Sequence, residues 1–231
     1  MITLQHSINL LLTEAEIKLV MQKALAQFDI AKRDNLRHRH INIQYDCILR
    51  GYIGEYAFTK WLAAHHITCS AHNLINDGDN MDIDFYYKNK NIELKTSLVP
   101  DADGTLAATI ANRDIKIIQR DNDITKLKGD VHVQILYDQR RKLKDEYLQK
   151  MNIDFNSVSL DELYNTLLAK AYKNTCYIVG WIDKQSLTKH VESLPLASRS
   201  WSFVNSKRLF YTCKISQSNM PSALIEYLHN L

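Results

Sequence analysis

The chain has 231 residues, which is long enough for one sizeable hydrophobic core or at most two small domains. Hydrophobic residues make up 45% and charged residues 24%, ordinary proportions for a soluble globular protein, and the net charge of +3 is too small to predict nucleic-acid binding by itself. No apolar run approaches the roughly 20 residues of a membrane span, and the N-terminus lacks the basic region and cleavage site of a signal peptide, so we expect no membrane association.

A capping box marks the start of the first predicted helix. Thr13 is followed three residues later by Glu16, and apolar residues then recur at helical spacing. This pattern predicts an amphipathic helix over 14–28. With the basic stretch that follows it, this helix is assigned to an N-terminal helical extension over 1–40.

A second, longer helix is predicted from about residue 42 to residue 64. Gly51 and Gly54 lie within it, and each costs about 1 kcal/mol relative to alanine in a helix. We expect a close approach of this helix to a sheet to compensate. Glu55 lies beside the apolar stripe, on a ridge from which its carboxylate reaches the edge of a sheet. The alternative for Glu55 is an ordinary exposed glutamate.

Residues 82–98 predict a β-hairpin that gathers charged side chains on one face. Side chains alternate between the two faces of a strand. Asp82 and Asp84 therefore share one face of the first strand. By the same argument, Glu93 and Lys95 share one face of the second strand.

Two registers of this hairpin remain open. A turn at residues 89–90 places Asp84 opposite Lys95, with Glu93 on the diagonal. A register two residues away places Asp84 opposite Glu93. In both registers two carboxylates and one ammonium meet within roughly 5–8 Å. Hard divalent cations take oxygen ligands, often completed by phosphate, and a lysine beside them orients water or offsets charge on the phosphate.

The C-terminal half alternates strands and helices. Residues 131–137 predict a strand, and residues 175–182 predict another that is apolar almost throughout and therefore buried. The charged and helical stretch over about 139–172 is assigned as an insertion between core strands. Residues 209–215 predict a further strand, and Pro221 opens a last helix.

Other motifs are excluded by their spacing. The four cysteines stand singly, without the Cys-x-x-Cys pair typical of structural zinc sites, which favours a reduced, cytoplasmic protein. The histidines do not form an HExxH motif, and there is no GxSxG, P-loop or GxGxxG sequence. No internal repeat or linker interrupts the chain, so we predict a single domain over 1–231.

Basic segments flank the acidic hairpin. Residues 32–50 carry five Lys or Arg against two Asp, and residues 184–214 carry six against one Glu. This arrangement favours a metal site that cuts a polyanion, and solvated surface charge is the alternative. The residues selected as nucleic-acid contacts are Arg37, Arg39, Gln134, Lys207 and Arg208. For Gln134, a hydrogen-bonded core amide is the alternative.

The hairpin and the second helix together resemble the core of the PD-(D/E)xK, or restriction-endonuclease-like, nucleases. Asp84, eight further residues and then Glu93-Leu94-Lys95 resemble the family motif. Glu55, about 30 residues upstream, is similar to the helical glutamate that many members carry.

This resemblance covers roughly residues 41–137, and the rest of the chain is similar in element order only. The chain departs from the family pattern at Ile83, which stands where many members have proline. Asp82 is a rival to Asp84 for the role of metal ligand.

The resemblance implies an α/β fold with a central mixed β-sheet flanked by helices. It also implies an endonuclease that requires Mg²⁺, with Mn²⁺ as a substitute, and that acts on DNA, for example a type II restriction endonuclease. The alternatives are a structure-selective resolvase or repair nuclease, and an inactive nuclease-like domain that binds nucleic acid or protein. A homodimer is expected from the resemblance alone.

The resemblance also assigns a role to each site residue. Asp84 and Glu93 would hold the metal, and the Leu94 carbonyl would add a backbone ligand. Glu55 would be a third ligand or a ligand to a second metal. Lys95 would position or help to activate the attacking water and would stabilise charge on the phosphate.

Overall fold

A mixed six-stranded β-sheet lies at the centre of the described chain. The structure is a computed structural model that describes residues 1–28, 38–71, 83–169, 176–204 and 208–231. Its strands, in chain order, are β1 (Ile8–Leu10), β2 (Ser70–Ala71), β3 (Phe85–Tyr87), β4 (Lys90–Val99), β5 (Ile118–Gln119), β6 (Val131–Arg140), β7 (Cys176–Asp183), β8 (Ser200–Ser202) and β9 (Leu209–Tyr211).

The strand order of the central sheet is β1-β7-β6-β4-β3-β2. Only β4 and β6 run parallel, and every other neighbouring pair in this sheet is antiparallel. A second, three-stranded sheet has the order β5-β9-β8. The parallel pair lies in the middle of the large sheet, so its side chains are covered on both faces.

Seven α-helices lie within the described residues. They are α1 (Glu14–Ala26), α2 (Ile41–Ala64), α3 (Leu106–Asn112), α4 (Arg141–Gln149), α5 (Leu160–Tyr164), α6 (Lys184–Ser193) and α7 (Ala223–His229). The predicted capping box starts α1, where the Glu16 carboxylate accepts from the Thr13 backbone N–H at 2.7 Å and the Thr13 hydroxyl accepts from the Glu16 N–H at 3.3 Å. Within the described chain, no helix is both long enough and apolar enough to cross a membrane.

The two faces of the central sheet carry separate hydrophobic clusters. One cluster joins α1, α2 and α7 to the sheet and includes Ile92 and Leu94 of β4. The other joins α3, α6 and the small sheet to the opposite face and includes Val99 and Leu136. The predicted α/β class, with a central mixed sheet and helices on both sides, is confirmed.

The predicted elements are found with shifts of a few residues. The strand predicted over 131–137 extends to Arg140, and the strand predicted over 175–182 is β7. The strand predicted over 209–215 is shorter, because β9 ends at Tyr211 and a 3₁₀ turn begins at Ile215. The helix predicted after Pro221 is α7.

The N-terminal segment is built into the core, which differs from the predicted extension. β1 pairs with β7 at the edge of the central sheet, with Ile8 opposite Ile178. Ile17 and Met21 of α1 are fully buried. The apolar face of α1 is therefore part of the main cluster.

The segment predicted as an insertion packs against α2. The Lys144 ammonium in α4 lies 2.5 Å from the Asp46 carboxylate, and both side chains are buried. Arg50 donates to the other oxygen of the same carboxylate at 2.8 Å. Asn42 donates to the Leu148 carbonyl at 2.9 Å.

Gly54 is the point of closest approach between α2 and the sheet. A Cβ atom at this position would lie 2.5 Å from the Thr96 Cγ2 methyl of β4, which is shorter than any real contact. At Gly51 a Cβ atom would meet nothing within 4 Å. The prediction that glycine permits close approach is therefore confirmed for Gly54 and wrong for Gly51.

Candidate active site

The hairpin register places the two predicted carboxylates opposite each other. β3 pairs with β4 so that Phe85 faces Ile92, and the two-residue turn falls at 88–89, with Lys88 at φ 50°. The predicted turn at 89–90 is therefore shifted by one residue. Continuing the same register by one pair puts Asp84 opposite Glu93, which is the second of the two predicted registers.

The Asp84 carboxylate is tied to the backbone of β4. The Asp84 N–H donates to the Ile92 carbonyl at 3.0 Å, and Asp84 Oδ2 accepts from the Leu94 N–H at 2.6 Å. A hydrogen bond to a carboxylate is short and strong. This contact therefore fixes the position of the Asp84 carboxylate, just before the first residue of β3. Because the N–H and C=O of one strand residue point to the same side, the Leu94 carbonyl points to the same side of β4 as Asp84.

Glu93 is a buried carboxylate with two partners. Its Oε1 lies 2.6 Å from the Lys95 ammonium, and its Oε2 lies 2.7 Å from His132 Nδ1. The exposed fraction of the Glu93 side chain is only 3% and that of His132 is 2%. The parallel register pairs Glu93 with His132 directly, which brings together residues that are far apart in sequence.

The neighbours of Glu93 keep it ionised. Burial by itself raises the pKa of this carboxyl, but the Lys95 charge and the His132 hydrogen bond outweigh burial and hold the pKa below its ordinary value. The second ring nitrogen of His132, Nε2, lies 3.1 Å from the Gly129 carbonyl, which only accepts. A neutral imidazole donates from one nitrogen only, so both contacts are made together when the ring carries a proton on each nitrogen.

A cavity opens beside Glu93, on the face of the sheet that also carries β5 and β9. It is a small depression that is partly open to solvent. Three cationic residues line it, Arg120, Lys126 and Lys128, and its other lining residues are Glu93, Ile118, Asp121, Asp123, Leu127, Gly129 and Tyr211. Lys126 lies 3.2 Å from Asp121, and both side chains are half-exposed, so this pair is weak.

Glu55 belongs to the helix on the other face of the sheet. Its neighbour Gly54 contacts Thr96, and Thr96 points to the opposite face from Lys95 because strand side chains alternate. Within the described ranges, no three His, Cys, Asp or Glu side chains are placed to hold a metal ion. The structure therefore does not bring Glu55 together with Asp84 and Glu93 in a three-ligand group.

Gln134 is a buried structural amide, as the alternative for this residue predicted. Its exposed fraction is 1%, and its Nε2 donates to the carbonyls of Lys95 and Ile135 at 2.9 Å each. Its Oε1 accepts from the Lys116 N–H at 3.1 Å. Because the amide is covered and bonded at both ends, the selection of Gln134 as a nucleic-acid contact is wrong. Gln134 instead fixes the backbone at Lys95.

The other predicted nucleic-acid contacts are scattered. Arg39 lies before α2, where its Nη1 approaches Cys47 Sγ at 3.7 Å. Arg208 is exposed just before β9. Three further predicted residues lie outside the described residues, namely Asp82, Arg37 and Lys207.

Sequence reasoning missed His132 as the partner of Glu93. The strand over 131–137 was predicted, but nothing in the sequence gives the register of a parallel pair. The cationic residues at 120, 126 and 128 were missed because they lie in loops outside the strongly basic segments.

Comparison with protein-family models, curated proteins and solved structures gave no match in any of the three. The class of protein is therefore defined by the structure alone, as an α/β fold built on a mixed six-stranded sheet. The resemblance to PD-(D/E)xK nucleases stays a prediction.

Proposed function

We propose that the protein is a Mg²⁺-dependent endonuclease of the restriction-endonuclease-like class that hydrolyses phosphodiester bonds in DNA. One observation carries the proposal. The hairpin register sets Asp84 opposite Glu93, and Lys95 lies 2.6 Å from Glu93, beside a cavity whose lining includes three cationic side chains and the carboxylates of Asp121 and Asp123.

The oxygen donors at the hairpin suit Mg²⁺. Asp84 and Glu93 supply carboxylates, and the Leu94 carbonyl points to the same side of β4 as Asp84. Two carboxylates are sufficient, because Mg²⁺ usually keeps several waters and takes further oxygens from a phosphate. The same oxygen donors suit Mn²⁺, which should substitute. When bound, the cation would lower the pKa of a water and offset charge on the phosphate.

Lys95 has two tasks in this proposal. With no cation, its ammonium neutralises the buried Glu93 carboxylate. Its side chain keeps 22% exposure, so it has room to turn toward the cavity when Glu93 Oε1 takes a cation instead. There the ammonium orients the attacking water and stabilises negative charge that grows on the phosphate.

His132 is a positioning residue for Glu93. Its bond to Oε2 holds the carboxylate so that Oε1 remains on the Lys95 side. Its second bond, to the Gly129 carbonyl, fixes the ring. A fixed partner behind a ligating carboxylate sharpens the geometry of a metal site.

A second candidate function is nucleic-acid binding without cleavage. The specific observation is that both Glu93 oxygens already have partners and that the side chain is 3% exposed. A cation must displace Lys95 from Oε1 before it binds. If that displacement does not occur, the cationic side chains of the cavity, Arg120, Lys126 and Lys128, bind phosphate and no hydrolysis follows.

Cleavage of plasmid DNA separates the two candidates. The full chain is incubated with supercoiled and with linear DNA in EDTA, Mg²⁺ or Mn²⁺. The nuclease proposal expects metal-dependent cleavage that Asp84→Asn abolishes. Asp121→Asn is the control, because it changes a carboxylate that lines the cavity beside Glu93 and has no proposed ligand role. Binding without cleavage under all metal conditions would favour the second candidate.

A further inference from the structure

Three aromatic rings form a cluster on the small β5-β9-β8 sheet. Trp201 of β8 lies opposite Phe210 of β9, and their rings stack at 4.7 Å with an angle of 20°. Phe203 meets both rings edge to face, at 5.0 Å from Trp201 and 5.6 Å from Phe210. The contacts hold the rings in one arrangement, so the cluster is preformed.

One side of this cluster is open to solvent. Phe203 is 47% exposed and the adjoining Val204 is fully exposed, whereas Phe210 is buried. Neighbouring exposed apolar side chains of this size mark an interaction surface more often than isolated ones do. Phe203 is therefore the ring of the cluster that a partner would meet first.

Two cationic residues lie beside the aromatic cluster. The Lys116 ammonium lies 5.8 Å from the centre of the Phe203 ring, and Arg208 is exposed next to β9. Burial lowers the pKa of Lys116 to about 8, so this ammonium still carries its charge at neutral pH. A surface that combines flat rings with cations complements a ligand that combines flat rings with anions. Single-stranded nucleic acid has this chemistry, because every base offers a π-face and every linkage a phosphate.

The same small sheet forms a wall of the cavity beside Glu93. Ile118 of β5 and Tyr211 of β9 line that cavity, and Ile118 lies directly opposite Phe210 in the small sheet. The Tyr211 hydroxyl donates to the Asp121 carbonyl at 3.0 Å, which joins the sheet to the loop that lines the cavity. The small sheet therefore connects the aromatic cluster to the wall of the cavity.

We propose that the exposed Phe203 ring, held in place by Trp201 and Phe210, is a stacking surface for unpaired nucleobases, and that Lys116 and Arg208 contact the adjoining phosphates. The substrate class is then nucleic acid with a single-stranded segment, such as a flap, gap or junction. This statement about substrate rests on the proposed nuclease function, whereas the binding surface itself does not.

Binding of a single strand to the full chain in EDTA tests the surface without cleavage. The probes are a fluorescent thymidine oligonucleotide about 12 nucleotides long, within the usual range of such sites, and a closed hairpin duplex. Phe203→Ala should weaken binding of the oligonucleotide about tenfold, because loss of one stacked base partner has an effect of this order. Duplex binding should change less than twofold. Phe203→Trp should keep the oligonucleotide affinity.

Two controls show whether the effect of Phe203→Ala is specific to the aromatic cluster. Leu196→Ala removes an apolar side chain that is 81% exposed but lies outside the cluster, and it should leave affinity within twofold. The oligonucleotide should quench the indole fluorescence of the protein, and Trp201→Phe should remove this quenching while Trp61 and Trp181 remain. Thermal unfolding of each variant excludes a loss of fold.

The outcomes are distinguishable. If Phe203→Ala leaves oligonucleotide binding within twofold, or weakens oligonucleotide and duplex equally, the stacking surface is refuted whether or not DNA is cleaved. A second result would also refute the stacking surface. If the wild type self-associates, and Phe203→Ala abolishes this self-association but leaves oligonucleotide binding unchanged, the cluster is a protein interface. If Phe203→Ala selectively loses oligonucleotide binding but the wild type cleaves no DNA under any metal condition, the stacking surface is supported and the proposed nuclease function is refuted.

Discussion

Replacement of Gly54 by alanine tests the contact between α2 and the sheet. The added Cβ would lie 2.5 Å from Thr96 Cγ2, so helix, strand or side chain must move. Thr96 is β-branched and stiff, which makes this movement costly. Overpacking of this kind costs about 1–3 kcal/mol. Alanine has a higher helix propensity than glycine, which offsets about 1 kcal/mol of this cost. We therefore expect Gly54→Ala to lower the free energy of unfolding by about 0–2 kcal/mol.

Gly51→Ala is the matched control in the same helix. A Cβ at Gly51 meets no atom within 4 Å, so only the propensity term remains. The free energy of unfolding should rise by about 0.5–1 kcal/mol. The two variants should thus differ by about 0.5–3 kcal/mol, which urea unfolding followed by circular dichroism measures.

A double-mutant cycle isolates the steric term. Thr96→Ser removes the methyl that the new Cβ meets, so Gly54→Ala should cost less in the Thr96→Ser background than in the wild type. A coupling energy of at least about 0.5 kcal/mol is expected for residues in contact. Equal shifts in unfolding midpoint for Gly51→Ala and Gly54→Ala, with no coupling to Thr96, would refute the close contact.

Three further predictions concern the charged residues. Lys95→Ala should lower the single-turnover cleavage rate by about 10²-fold or more, as loss of one transition-state donor does, while metal affinity measured by calorimetry should not fall, because an ammonium is not a ligand and its removal frees Glu93 Oε1. Asp84→Ala should abolish cleavage and should also lower the free energy of unfolding by about 1–3 kcal/mol, because the buried Leu94 N–H loses its charged acceptor; retained cleavage would remove Asp84 from the metal site. Burial lowers the pKa of Lys144 from 10.5 to about 8, so Lys144 contributes stability that rises with pH between these values, because the unfolded chain binds more protons there. When urea unfolding is compared at pH 8 and at pH 9.5, the change in the free energy of unfolding should be more stabilising in the wild type than in Lys144→Met by on the order of 1 kcal/mol.

The sequence predicted the parts of the site that depend on local pattern. Strand alternation placed Glu93 and Lys95 on one face, and the structure joins them at 2.6 Å. The choice between two hairpin registers stayed open because it depends on the turn, and Lys88 adopts a positive φ that its residue type does not indicate. One residue of turn position decides which side chain faces Asp84.

The parts that were missed depend on tertiary packing. Gly51 and Gly54 look alike in the sequence, but only Gly54 faces the strand, because helical residues three apart differ in direction by about 60°. Glu55 follows the direction of its helix, which packs on the face of Thr96. The pairing of Glu93 with His132 comes from parallel strands that are not joined by a turn, so no short-range signal reports it.

The parallel pairing of β4 with β6 also bears on how the molecule folds. The β3–β4 hairpin needs only a two-residue turn, so Asp84 and Glu93 meet within a local unit. Glu93 and His132 meet only after the whole connection between β4 and β6 has closed, which is an entropically costly, non-local event. Until then Glu93 has Lys95 close by in the chain but lacks its buried partner. The orientation of the carboxylate is therefore expected to be acquired late, together with the centre of the sheet, so that a partly folded chain would contain the hairpin without an ordered site.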